Sequence, residues 1–167
     1  MILPFYSMCI SSIVGSNDRS THLKGAGIMT TNQYLLQPIG FVCSPLKSLK
    51  DCPKQGQDGA PDAWLEINSL YAEAIDGLKV GQDILVLTWL HLGRRDMLRV
   101  HPKGNPENPL QGVFATRSPH RPNPIGLHRV EILAIDKQFR LRVWPLESLD
   151  KTPILDIKPV LPELTES

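Results

Sequence analysis

The densest run of unusual residue types lies between Gly112 and Gly126, GVFATRSPHRPNPIG. Pro119, Pro122 and Pro124 hold the chain extended and remove backbone donors, so neighbouring carbonyls turn outward as acceptors. Arg117 and Arg121 flank this stiff stretch. A guanidinium is permanently charged and planar, which suits it to carboxylate, phosphate or base recognition. The same spacing equally fits a rigid turn whose arginines bond nearby carbonyls, and spacing alone does not choose between the two.

A second run, LESLDKTPILDIKPVL from Leu146 to Leu161, places Asp150 and Asp156 in proline-punctuated surroundings, each followed by a lysine at once or two residues on. Asp150-Lys151-Thr152 fits a plain turn whose side chains bond backbone amides. It fits equally a rigid turn that offers carboxylates to ribose hydroxyls or an exocyclic amine. Four of the five histidines, His91, His101, His120 and His128, fall within one stretch. Their spacing matches no zinc signature, and histidines among arginines read as polar contacts, so no metal is expected. The chain has no G-x-G-x-x-G after a strand, no P-loop and no G-x-S-x-G, which removes the ordinary Rossmann, NTPase and α/β-hydrolase readings.

These runs must be positioned by a chain of 167 residues, enough for one domain around a single core. With 41% hydrophobic and 21% charged residues it can bury that core. Its 15 prolines argue against long helices. Residues 91 to 130 carry Arg94, Arg95, Arg99, Lys103, Arg117, Arg121 and Arg129 against Asp96 and Glu107, a local balance of +5. Residues 51 to 76 carry Lys54 against Asp51, Asp58, Asp62, Glu66, Glu73 and Asp76, or −5. The charge is thus dipolar, and the basic segment can meet a polyanion or be an ordinary solvated face.

Cys9, Cys43 and Cys52 include no Cys-x-x-Cys pair and fit neither a disulfide framework nor a thiolate zinc site, which points to a reducing cytoplasm. Met1 to Val14 lacks a basic start, contains Pro4 and is too short to span a bilayer, so no membrane association is expected. Met29-Thr30-Thr31-Asn32 reads as an ordinary start. Residues 1–28 are accordingly expected to be a disordered leader and 29–167 the functional domain.

Strands are expected over Leu35 to Cys43, Ala63 to Ile67, Asp83 to Trp89 (both faces covered), Met97 to His101 and Gly112 to Thr116. A hairpin is expected from Val130 to Ile135 and from Phe139 to Val143, turning at Asp136-Lys137. One helix, capped by Ser69 and carrying Leu70, Ala74 and Leu78 on one face, completes the reading. Many short strands among abundant turn residues indicate an all-β or β-dominated domain, a single small closed or nearly closed barrel of non-Rossmann type.

GVFATRSPHRPNPIG together with LDKTPILDIKPVLP resembles the TsaA/TrmO-type family from about Pro38 to Pro162. The resemblance implies a dimeric small β-barrel that binds S-adenosylmethionine and methylates N6 of the threonylcarbamoylated adenosine beside the anticodon of threonine tRNA. Matched motif by motif, it implies a cofactor site of Pro53, Lys54, Gln55, His91, Leu92, Arg117, Leu127, Leu149, Asp150, Lys151 and Thr152. Arg117, Asp150 and Asp156, with the free carbonyls around Pro122 to Pro124, are the expected catalytic groups. Arg94, Arg95, Arg121 and Lys158 are the expected RNA contacts. The chain departs from the family pattern at Lys54 (usually arginine), Leu92 (often glutamine), Lys151 (usually glycine, which marks a positive φ) and Val160 (commonly tyrosine), and is expected to be without the extra C-terminal domain of longer members. Two other functions fit the same residues: a methyltransferase for a different RNA or a small molecule, and a binding module that holds the cofactor without turnover.

Overall fold

A computed structural model describes residues 34–161. The expected leader, the start at Met29 and Cys9 lie outside the described residues. Eight strands follow in chain order: β1 (Gly40–Cys43), β2 (Ala63–Ile67), β3 (Asp83–Trp89), β4 (Arg99–Val100), β5 (Gln111–Gly112), β6 (Ile125–Ile135), β7 (Arg140–Trp144) and β8 (Pro153–Pro159). Six of them close an antiparallel barrel in the order β1-β2-β7-β6-β3-β8, and β4 and β5 form a separate ribbon. The barrel expected from the sequence is therefore present, and no helix among the described residues is long and apolar enough to cross a membrane.

Alternation decides what fills the barrel. On β3, Ile84, Val86 and Thr88 are buried while Leu85, Leu87 and Trp89 are half-buried, so this strand has one covered face rather than the two its apolar run implied. On β6, Gly126, His128, Val130 and Ile132 point inward and Ile125, Leu127, Arg129 and Glu131 outward, the two-residue period of a pleated strand. Val42, Leu65, Ile132, Leu141, Val143, Leu146 and Ile154 complete the core. Truncating such a side chain, Leu141→Ala for example, costs roughly 2–5 kcal/mol through lost transfer energy and the cavity left behind.

Three local expectations are corrected. The helix after Asn68 is a 3-10 helix, Ser69–Ile75, and its cap is Asn68, whose side chain accepts the Leu70 N–H at 3.0 Å. Tyr71, Ile75 and Leu78 pack on the core while Leu70 stands 83% exposed, so Leu78 faces the core as expected and Tyr71 and Ile75 take the places assigned to Leu70 and Ala74. Phe139, assigned to a strand, sits at φ 59 in the hairpin turn, where the Asp136 carboxylate accepts the N–H groups of Gln138 and Arg140. A three-residue loop that ends in the left-handed region restores the strand twist. The strands expected over Met97 to His101 and Gly112 to Thr116 shrink to the two-residue β4 and β5, and Val113–Ala115 forms a 3-10 turn.

Candidate cofactor and substrate cleft

At the barrel end where β3 runs out at Trp89, the proline-rich segment is clamped in place. The Arg121 guanidinium donates to the Val113 and Thr116 carbonyls at 2.8 and 2.5 Å. Arg95 donates to the Pro122 carbonyl at 2.9 Å, and its guanidinium lies 5.6 Å from the Trp89 ring centre. The Pro124 carbonyl accepts the Leu90 N–H, the Asn123 carbonyl that of Ile125. A Cβ on Gly93 would come within 2.5 Å of the Pro119 carbonyl oxygen, so only glycine lets the Leu90–Gly93 turn press this closely on the loop.

Those bonds leave Arg117 as the guanidinium of this segment that faces the adjoining cleft. The cleft holds about 850 Å³, within the roughly 300–1,000 Å³ of small-molecule sites. Its walls include Pro53, Lys54, Gln55, His91, Leu92, Arg117, Leu149 and Thr152, scattered residues that the barrel brings together. Leu127 faces a neighbouring groove of about 970 Å³, which meets the cleft at Lys54, Gln55, Arg117 and Glu147. Lys54 Nζ donates to the Lys103 carbonyl at 2.8 Å, joining the early loop to the segment that leads out of β4.

Asp150 is not on the cleft wall. Its carboxylate accepts the Ser44 N–H at 3.0 Å and pairs with Lys47 at 2.7 Å. The Lys47 hydrogen bond, opposed by burial and reinforced by Ser44, holds its carboxyl below the ordinary aspartate range. Lys151 turns the chain at φ 61, the conformation for which glycine is the usual choice, and its N–H donates to the Val42 carbonyl at 2.7 Å. This turn therefore braces β1 through Lys151 and the segment just after it through Asp150, and offers only Leu149 and Thr152 to the cleft.

Asp156 also lies away from the cleft, on β8 opposite Leu87, where it pairs with Lys158 at 2.8 Å and accepts the Ile157 N–H. Lys158 faces Leu85 across the sheet, towards the far end of β3. The four expected RNA contacts consequently do not share a surface: Arg121 is turned into its own loop, Lys158 is remote, and Arg94, paired with Asp96 at 2.8 Å, and Arg95 remain beside the cleft. The carbonyls of Pro122 and Pro124, expected to be free, already have donors.

His128, expected from the sequence only as a polar contact, is one inside the barrel, and its acidic partner is Glu147, which no motif marks. His128, 6% exposed on the inner face of β6, bonds Glu147 Oε1 through Nδ1 at 2.9 Å. Its Nε2 lies 2.9 Å from Thr88 Oγ1 and 3.2 Å from Ser148 Oγ. A carboxylate only accepts, so Nδ1 carries the proton and the two hydroxyls can donate to Nε2. Burial alone would raise the Glu147 carboxyl pKa. The His128 hydrogen bond, with Arg117 nearby, outweighs burial and holds it below the usual glutamate range. Glu147 lines both the cleft and the groove. A histidine at an inward position of an alternating strand was the available signal for His128, whereas nothing in the spacing marked Glu147.

The comparisons agree with this architecture. Residues 41–166 match the family described as tRNA-methyltransferase O N-terminal domain. A probable S-adenosyl-L-methionine-binding protein of Methanothermobacter thermautotrophicus is 42% identical over 131 residues, 78% of this chain and 93% of that protein. An S-adenosyl-L-methionine-binding protein of Archaeoglobus fulgidus is 44% identical over 130 residues, 78% of this chain and 91% of its own. The crystal structure of TrmO from Pseudomonas aeruginosa superposes with a TM-score of 0.63 at 30% identity, covering 81% of this chain and 59% of that one. The chain thus spans about three fifths of that solved structure's length. With its barrel, its two signature runs and a family match over most of its length, the chain belongs to the tRNA-methyltransferase O family.

Proposed function

We propose that this protein is an S-adenosylmethionine-dependent tRNA methyltransferase, acting on N6 of the threonylcarbamoylated adenosine beside the anticodon of threonine tRNA. The observation that carries the reading is the meeting of Arg117 with Leu149 and Thr152 on one cleft wall: the two signature runs converge on a space of suitable size. The donor set fits the cofactor. A guanidinium and a carboxylate, Arg117 and Glu147, complement an amino-acid tail, and apolar Leu92, Leu90 and Leu149 suit a nucleoside face.

Bound adenosylmethionine supplies a methyl group on a sulfonium, a good leaving group, so the chain's task is orientation. Arg117, on a segment clamped by Arg95 and Arg121, fixes one end of the ligand, and rigid placement of two reactants in line accounts for roughly 7–11 kcal/mol of barrier in favourable cases. Cationic Lys54, Arg99 and Lys103 on the cleft wall, with Arg94 and Arg95 nearby, supply the attraction that an anticodon loop's phosphates require.

The binding-module reading draws support from one observation: Asp150 and Asp156, the carboxylates expected to orient an amine, are both held by lysines. Incubation with labelled adenosylmethionine and bulk tRNA, followed by nucleoside mass analysis, separates the two. Label in the methylated threonylcarbamoyl nucleoside supports the enzyme; label in another nucleoside moves the substrate; cofactor binding with no labelled nucleoside establishes the module.

A further inference from the structure

Among the residues that line the cleft, cations are plentiful: Lys54, Arg99, Lys103 and Arg117. Glu147 is its one carboxylate. That imbalance matters for a ligand whose tail bears two positive groups, a sulfonium and an α-ammonium. In a partly desolvated cleft, like charges repel strongly and an unpaired ammonium is costly. The tail can enter only if its cations lie against the carboxylate and its own carboxylate turns towards a guanidinium.

Glu147 is built for that contact. Oε1 is taken by His128, whose ring is fixed on its other side by Thr88 and Ser148. Oε2 faces the early loop, 3.2 Å from where a Gly56 side chain would begin, and Glu147 lines both the groove and the cleft together with Lys54, Gln55 and Arg117. The side chain is 23% exposed, open enough to be reached and closed enough for its charge to count. Resting on the cofactor reading above, we propose that Glu147, oriented by His128, is the anionic contact for the cationic methionine end of S-adenosylmethionine. His128 touches no ligand and serves as a positioning residue. The assignment sets the ligand's direction, with the methionine end at the barrel mouth and the nucleoside towards Leu90 and Leu92.

Calorimetry with three ligands tests it: S-adenosylmethionine, S-adenosylhomocysteine, which keeps the ammonium but not the sulfonium charge, and methylthioadenosine, which has neither. Glu147→Gln retains an oxygen for His128 while removing the charge. It is expected to weaken adenosylmethionine at least tenfold and adenosylhomocysteine less, with methylthioadenosine within twofold of wild type. Equal weakening of all three, or of none, overturns the assignment, as does intact binding with lost turnover. Should the Gln variant not fold, Glu147→Asp, which keeps the charge but withdraws it, is read by the same ligand ranking. His128→Gln should reproduce that ranking in milder form. If the wild-type protein binds none of the three, the cofactor reading itself has failed, a different outcome from a failure of this contact.

Discussion

Gly126 stands directly against His128: a Cβ built on the glycine would lie 2.7 Å from His128 Nε2 and collide with Thr88 Oγ1. The imidazole and its hydroxyl partner thus occupy the volume that any side chain at position 126 would need. Gly126→Ala is expected to lower stability by roughly 1–3 kcal/mol, the usual cost of overpacking, and to weaken ligand binding with it. Thermal denaturation and calorimetry on the same variant check both; an unchanged melting temperature would show that the ring can move aside.

Arg117 and Arg121 lie four positions apart yet should behave oppositely. Arg121 bonds two carbonyls of its own loop, and hydrogen bonds from charged groups contribute about 1.5–3 kcal/mol each. Arg121→Ala should therefore lower the melting temperature and disturb activity only through the loop. Arg117→Ala should leave the melting temperature near wild type while methyl transfer to tRNA is lost. Radiolabelled turnover set beside denaturation curves distinguishes them.

Lys151 adopts a left-handed conformation that costs a non-glycine residue about 1–2 kcal/mol. Glycine would remove that strain, at the expense of greater freedom in the unfolded chain. Lys151→Gly is expected to raise stability by up to about 1 kcal/mol without moving the Asp150 brace. Urea titration checks the sign.

Glu147 links stability to pH. Its folded-state carboxyl titrates below the ordinary glutamate range, so its contribution is fully present above the unfolded value and disappears as pH falls through the lowered folded one. Comparing wild type with Glu147→Gln, the difference in melting temperature should be constant near neutrality and shrink through the acid range below the usual glutamate pKa. A difference that persists unchanged into acid would mean that the carboxylate's charge contributes nothing to the fold.

Much of the scaffold is legible in the sequence. The continuous apolar run of β3 was read to its end residues, and the alternation in Leu141 and Val143 gave the hairpin, because side-chain direction in a strand follows from position alone. Phe139 escaped because the left-handed turn residue broke that parity. At the site, the two signature runs meet at one cleft through Arg117, Leu149 and Thr152, while the carboxylates of Asp150 and Asp156 and the guanidinium of Arg121 are engaged away from it. Spacing places a turn, but whether its carboxylate faces a cleft or a neighbouring amide depends on what packs beside it, here Ser44 and Lys47 from distant sequence. The acid that does face the cleft, Glu147, lies in the connection after β7, where no period constrains direction.

The strict parity of β6 has a consequence for change over time. Leu127 faces out and His128 faces in, so losing or gaining one residue ahead of them would send the imidazole into water and drive a leucine against Thr88. Packing and chemistry share a single reading frame along this strand, so a one-residue insertion or deletion is expected to be tolerated only in the loops on either side of it.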